Sequence, residues 1–380
     1  MEFGLFIQNY VPNSRRDVDP EAEHHAIFED LAAVEAADKA GFKFVWATEH
    51  HFLDEYSHLS ANGEVLGYLA GRTERIHLGS GIFNPLPQVN HPAKVAERVN
   101  YLDQLSHGRF EFGTGRGAGS HEILGFLDHV GITNCDLTKD IWEEVIGEFP
   151  KMFMQETYEG FKGVNWSLPP GRKILPRSYQ KAGAHPAMWY AAGNPASYEM
   201  AGRKGLGVLG FSLDSLDKVE KVRAGYQKGI DSAEPIGAFV NKNLMSCIAA
   251  YVDEDSDKAK QSFIDCNPGY LTANVYRYHD TFPRPAFIPP WPEINPPPTL
   301  DLVNAATTYG GLVCGNPDEA LEQCKRWEST GIDQLVFGIG PAPIEQTLKT
   351  IELLGKHVIP KIDTDPEVST ARYRRTAAGM

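Results

Sequence analysis

The stretch Phe44-Val45-Trp46-Ala47-Thr48-Glu49-His50-His51-Phe52 decides how the rest of the chain is read. Its first half is apolar, with β-branched and aromatic side chains, and has the composition of a buried strand. It stops abruptly at a carboxylate and two imidazoles. In α/β proteins the carboxyl ends of parallel strands open into the ligand crevice, so polar groups at such an end face a ligand rather than the core. A solvated histidine pair, or one capping a neighbouring helix, is the alternative.

The segments on either side repeat the same grammar. Phe3-Gly4-Leu5-Phe6-Ile7-Gln8 is a first strand. In the helix after it Ile27, Leu31, Val34 and Ala37 share one face, Asp30, Glu35 and Asp38 lie off it, and Gly41 ends it. Further on come a short helix from Glu64 to Gly71, a strand from Ile76 to Phe83, and a helix from His91-Pro92 to Leu105 with Pro92 in a permitted first-turn position. A fourth strand, from Arg109, exits through Gly113-Thr114-Gly115-Arg116-Gly117. The alternation breaks from about 118 to 185, where Leu137 to Gln155 reads as helix. It resumes with strands at Ala187–Gly193, Gly207–Phe211, Leu244–Val252 and Asp333–Ile339 and helices at Pro195–Lys204, Pro317–Thr330 and Ile344–His357.

Eight strands alternating with helices predict a single α/β domain, a (β/α)8 TIM-like barrel over residues 1–360 with insertions at about 118–185 and 265–310. A doubly wound open sheet is the competing arrangement. Prolines crowd 283–299 from Pro283 to Pro298, too densely for regular structure, and the segment is expected to be an ordered excursion or lid. Residues 361–380, with Arg372-Tyr373-Arg374-Arg375, read as an unstructured terminus or an oligomer arm.

Composition removes several classes of function. Hydrophobic residues at 42% and charged residues at 23% exclude a disordered chain, and no apolar run reaches the length of a membrane span. With no basic leader after Met1, the expected compartment is the cytoplasm. A formal charge of −14 disfavours nucleic acid and anionic membrane as partners. The five cysteines, Cys135, Cys247, Cys266, Cys314 and Cys324, form neither a disulfide framework nor a zinc pattern.

Three motifs carry possible chemistry. Gly113 to Gly117 lets backbone amides and the Arg116 guanidinium approach an anion, or is simply a tight turn with a surface arginine. Gly193-Asn194-Pro195-Ala196-Ser197 opens a helix whose free N–H groups form a second anion cradle, with Asn194 and Ser197 as caps or phosphate donors. Glu49-His50-His51 lacks the further ligands of a metal site, and adjacent histidines point apart on an extended chain. A histidine base oriented by a carboxylate suits it better. Phe6, Tyr56, Phe83, Trp189 and Phe211 hint at an apolar pocket, with core packing as the other role for each.

Together with His91-Pro92-Ala93-Lys94-Val95-Ala96-Glu97, Leu102-Asp103-Gln104-Leu105-Ser106-His107-Gly108-Arg109-Phe110, Gly315-Asn316-Pro317-Asp318-Glu319-Ala320 and Gly331-Ile332-Asp333-Gln334-Leu335-Val336, these segments resemble the bacterial luciferase-like, flavin-dependent monooxygenase family over nearly the whole chain. The resemblance implies a TIM-like barrel that takes reduced FMN from a separate NAD(P)H:flavin reductase. Through a peroxyflavin formed with molecular oxygen, it would oxidise a small, largely apolar organic substrate such as an aldehyde, ketone or terpenoid. It further implies that Glu49 borders the flavin ring, His50 is the acid/base, Gly81-Ile82 takes the place of a non-proline cis peptide beneath the flavin, Arg116, Asn194 and Ser197 hold the phosphate, and Gly115, Gly117 and Gly193 also bind the cofactor. The chain departs from the family where a glutamate-serine pair is replaced by Gly193-Asn194, which shifts that contact toward backbone amides and Ser197. A homodimer is expected by the same resemblance. A deazaflavin-dependent dehydrogenase or reductase on the same barrel, or a non-catalytic flavin-binding subunit, are the other functional readings.

Overall fold

The computed structural model describes residues 1–211, 216–281 and 284–380. Eight parallel strands close into a barrel: β1 (Glu2–Ile7), β2 (Phe44–Ala47), β3 (His77–Ser80), β4 (Phe110–Thr114), β5 (Ala187–Ala192), β6 (Gly207–Phe211), β7 (Leu244–Val252) and β8 (Gln334–Gly338). β1 pairs with β2 and β8, and β7 closes the ring between β6 and β8. The open-sheet alternative is thereby excluded. A further strand, Leu312–Gly315, goes beyond the sequence reading; it pairs with the end of β7 outside the ring, Leu312 opposite Ala249 and Gly315 opposite Val252. Its four residues between Gly310-Gly311 and Asn316 are too few to carry a periodicity.

Strand alternation divides the side chains into two cores. Outward-facing Phe3, Leu5, Val45, Leu78, Phe110, Phe112, Leu335 and Phe337 pack under the helices. Inward, Phe44, Trp46, Trp189, Leu209, Met245 and Val336 fill the barrel. Two indoles fit there because the neighbouring strands carry glycine: Trp46 lies beside Gly79 and Trp189 beside Gly207 in register. A Cβ on Gly79 would run into the Trp46 ring, and one on Gly207 into the Trp189 ring. Below this layer the Glu111 carboxylate accepts from His77 Nδ1 at 2.7 Å, Trp189 Nε1 at 2.7 Å and Thr370 Oγ1 at 2.5 Å.

The carboxyl-terminal residues are not a loose tail. Ser369–Ala377 is a helix across the amino-terminal mouth of the barrel, with Thr370 on Glu111, Ser369 on Glu2, and Arg374 on Asp103. Within the basic run Arg374 binds an acid far away along the chain, Asp103, while Arg372 and Arg375 pair with the nearby Asp365 and Glu367.

The helix Ala22–Ala40 buries Leu31, Val34 and Ala37 of its expected face and leaves out Ile27, which is 38% exposed, while Ala22, Ala26 and Ala33 are also buried. Asp38, expected on the solvent side, is buried and accepts the amides of Glu74, Arg75 and Ile76, which hold its carboxylate below the usual range against the effect of burial.

Residues 118–185 contain the helices Ser120–Leu127, Leu137–Ile146 and Phe149–Met154 and a small antiparallel hairpin, so the expected helix from Leu137 to Gln155 is broken at Gly147. The second insertion contributes the helices Pro268–Tyr278 and Leu300–Tyr309 on either side of the proline-dense stretch. Pro283, the first proline of that stretch, lies outside the described residues.

His185, beneath β5, is 2% exposed and uses both ring nitrogens as a neutral imidazole: Nδ1 lies 2.8 Å from the Pro186 carbonyl, and Nε2 accepts the Ala238 amide at 2.9 Å. Burial pushes its pKa down to about 4. Between the ordinary value of 6.5 and about 4 the unfolded chain binds a proton that the folded chain refuses, so this contribution is complete above 6.5 and is lost as pH falls. The stability difference between the wild-type chain and His185→Asn, from urea midpoints, is expected to narrow from about pH 7 to about pH 4. A difference that does not change with pH would show that His185 titrates normally.

Candidate active site

The carboxyl ends of the barrel strands surround a cavity of about 510 Å³, within the usual range for a small-molecule site. Glu49, His50, Gly81, Ile82, Gly115, Arg116, Gly117, Gly193, Asn194 and Ser197 all line it. A barrel explains the convergence, since its parallel strands all point their carboxyl ends to one mouth. Trp46, Trp142, Tyr190, Leu209 and Met245 add apolar wall. The Gly81–Ile82 peptide is cis.

His50 and Glu49 leave β2 in different directions. His50 is 9% exposed, and its Nδ1 lies 3.2 Å from Glu122 Oε2, which also accepts the Ala118 amide at 3.0 Å. No protein atom hydrogen-bonds His50 Nε2 among the described residues. A carboxylate on Nδ1 selects the tautomer with the proton there and leaves the Nε2 lone pair for a ligand. The Glu49 carboxylate, 8% exposed, lies 3.7 Å from His51 Nε2 and 3.9 Å from Arg98 Nη1. It holds His51 above the ordinary histidine pKa.

Arg116 donates Nη1 to the Cys135 carbonyl at 3.1 Å and to Thr138 Oγ1 at 2.8 Å, which fixes the guanidinium while Nε and Nη2 take no protein acceptor among the described residues. Pro195–Arg203 begins nearby with a capping box: Asn194 Oδ1 accepts the Ser197 amide at 3.1 Å, and Ser197 Oγ accepts the Asn194 amide at 3.2 Å while donating to the Asn194 carbonyl at 2.6 Å. Both side chains therefore serve the cap, and the first-turn amide of Ala196 is the group the helix itself leaves for an anion. Lys139, from the helix Leu137–Ile146, adds a second cation to this wall and pairs with Asp136 at 2.6 Å.

Four contributors escape the sequence reading: Glu122, His279, Lys139 and the hydroxyl of Tyr56. The first three come from the insertions, where no strand end marks position; a buried acid beside Ile123 is the available signal for Glu122. Of the aromatic residues singled out, Phe6 and Tyr56 line the cavity, Trp189 lies a layer deeper, and Phe83 packs against Phe110 and Phe112 outside the ring. The Phe211 side chain lies outside the described residues. A second concavity, of about 910 Å³ near Tyr10 and Pro341, holds none of the motif residues and is lined by Glu29, Asp30, Asp265 and Glu345. Among the described residues no group of three or more metal-ligating side chains occurs, and no helix is long and apolar enough to cross a membrane.

A parallel barrel with a polar cavity at its carboxyl mouth, closed over by insertions, defines the class, and the family model described as luciferase-like monooxygenase matches residues 1–334. The chain belongs to the luciferase-like monooxygenase family and is an oxygenase of that class. Among curated proteins it is 28% identical to limonene 1,2-monooxygenase of Rhodococcus erythropolis, covering 99% of this chain and 90% of that protein. It is also 28% identical to an alkanal monooxygenase alpha chain of Photorhabdus luminescens, covering 69% and 67%. Among solved structures, monooxygenase RslO1 from Streptomyces bottropensis superposes with a TM-score of 0.74 at 22% identity, over 95% of this chain and 99% of that one. The oxygenating constituent of 3,6-diketocamphane monooxygenase from Pseudomonas putida, in complex with FMN, gives 0.73 at 18%, with the same coverage. The barrel is also shared by an F420-dependent secondary alcohol dehydrogenase, with a TM-score of 0.66 at 17% identity over 95% of this chain and 98% of that one.

Proposed function

We propose that the cavity binds FMN, reduced by a separate NAD(P)H:flavin reductase, and that the protein uses it with molecular oxygen to oxidise a small, largely apolar organic molecule. The observation that carries this reading is the polarity of the cavity. Arg116, Lys139 and a helix amino terminus line it, small residues at Gly81, Gly115, Ala191 and Ala192 leave room between strands, and a buried imidazole with an open Nε2 lines it too. A Cβ on Gly115 would already be 3.3 Å from Ile82, so a larger side chain would intrude on the space of a flat ring. A phosphorylated planar cofactor fits this donor set.

When bound, the reduced flavin supplies the electrons that activate oxygen. Arg116 and the Ala196 amide would hold the phosphate, Gly81-Ile82 and Gly115 would support the ring, and Glu49 would border it. His50 would hold or move a proton at Nε2, with Glu122 fixing its orientation. The apolar walls exclude water. Assembly as a homodimer belongs to the same proposal and is tested by sedimentation.

The experiment is a titration of the purified protein with oxidised FMN, reduced FMN and a reduced deazaflavin, followed by admission of oxygen. Preferential binding of reduced FMN and oxygen uptake coupled to substrate oxidation are expected; binding of the deazaflavin alone would transfer the site to the dehydrogenase reading. Arg116→Ala should weaken FMN about tenfold to a hundredfold, the scale of one hydrogen bond to a charged group, and leave riboflavin, which lacks the phosphate, unchanged. Equal weakening of both flavins would place Arg116 elsewhere than at the phosphate.

A further inference from the structure

Near His50 the cavity is walled by two elements that the barrel alone does not supply. The loop after β2 brings Tyr56, and the chain leaving the helix Pro268–Tyr278 brings His279 and Thr281. The Tyr56 hydroxyl lies 3.2 Å from His279 Nε2, and the two rings meet edge to face at 5.4 Å. The His50 ring is 5.2 Å from Tyr56 and 6.0 Å from His279. Phe6, Ile123, Leu209 and Met245 make other walls apolar.

His279 is held in place from outside the cavity. The adjacent Asp280 carboxylate accepts the Ser120 amide at 2.8 Å and the Ser120 hydroxyl, and the Tyr278 carbonyl occupies the space where Gly119 would carry a side chain. An insertion clasped to the start of another helix in this way fixes one histidine over the cavity.

The chemistry of this end is specific. A tyrosine hydroxyl has one donor and two acceptor positions, so with the His279 proton on Nε2 and donated to the Tyr56 oxygen, the Tyr56 O–H is left to donate to a ligand oxygen. Burial and the neighbouring His50 push His279 down to about 3, so it is neutral at ordinary pH. Glu122, 4% exposed, places a carboxylate against His50. This end therefore offers hydrogen bonds without net positive charge, and an anionic group gains nothing there.

We propose that the Tyr56–His279 pair determines substrate specificity by binding a neutral carbonyl or hydroxyl oxygen of an otherwise apolar substrate beside His50. The proposal rests on the flavin monooxygenase reading for its biological meaning, but its physical content is tested without flavin.

Trp46 and Trp142 line the cavity, so ligand entry is followed by tryptophan fluorescence in flavin-free protein. The probes are menthone, a cyclic ketone, and p-menthane, the hydrocarbon of the same skeleton. Wild-type protein is expected to bind menthone more tightly; Tyr56→Phe should weaken menthone about tenfold and leave p-menthane unchanged, as loss of one hydrogen bond requires. His279→Leu should act in the same direction and His279→Gln, which keeps a polar partner for Tyr56, should recover part of the loss. Circular dichroism of each variant separates a local effect from misfolding. Wild-type protein that does not prefer menthone, or a Tyr56→Phe protein that loses both probes equally, overturns the proposal. Failure of the flavin titration with ketone preference intact would instead count against the monooxygenase reading alone.

Discussion

Replacing Arg374 by alanine is expected to cost about 3 to 5 kcal/mol of folding stability, the scale for removing one partner of a buried ion pair. Arg374 is 2% exposed and Asp103 fully buried, and the two meet through parallel bonds of 2.8 and 2.7 Å. The guanidinium also donates to the carbonyls of Ala184 at 2.6 Å and Gly108 at 3.2 Å. Without it, Asp103 keeps only the Tyr179 amide, at 2.6 Å, as a compensating donor among the described residues, in a fully buried position. Urea unfolding should show the loss as a lower midpoint at similar slope. Adding Asp103→Asn to Arg374→Ala should recover part of it, because the uncompensated charge is then gone. A loss below about 1 kcal/mol would mean that the carboxyl-terminal helix is dispensable to the barrel, on the scale of an exposed pair.

The same residue marks the limit of what the sequence discloses. The barrel is legible because strands buried on both faces are continuous apolar runs, Phe3 to Ile7 or Ala187 to Ala192, and because Gly41, Pro92 and Gly331 punctuate them. The motif residues are legible as a set for a topological reason: parallel strands deliver their ends to one place. Contacts between distant segments leave no such trace. Nothing near Arg374 announces Asp103, and nothing near His279 announces Tyr56. Buried small residues escape too: Leu31, Val34 and Ala37 are buried as their spacing predicts, but Ala22, Ala26 and Ala33 are buried with them where Ile27 is not. The Asn194–Ser197 box shows a third limit: a sequence that offers donors does not say whether they are already used, and here both are.

The proposed role of His50 gives the largest expected effect on activity. His50→Ala should lower turnover by a factor on the order of 10² to 10⁴, the usual contribution of a positioned acid or base. The substrate for this test is whichever member of a panel of aldehydes, ketones and terpenoids the wild-type protein oxidises. Flavin affinity should change little, because the phosphate contacts proposed for Arg116 and the Ala196 amide do not involve the imidazole. Glu122 touches His50 Nδ1 and the Ala118 amide, so it is a positioning residue. Glu122→Gln presents an amide where the carboxylate selected one tautomer, and it should reduce turnover less than His50→Ala does while altering the pH profile. The double variant decides whether the two act as a unit: if Glu122 works only through His50, the pair should be no slower than His50→Ala alone. A folded His50→Ala protein that binds flavin and turns over at the wild-type rate would remove His50 from the chemistry. A double variant slower by the product of the two single effects would give Glu122 an independent part in it.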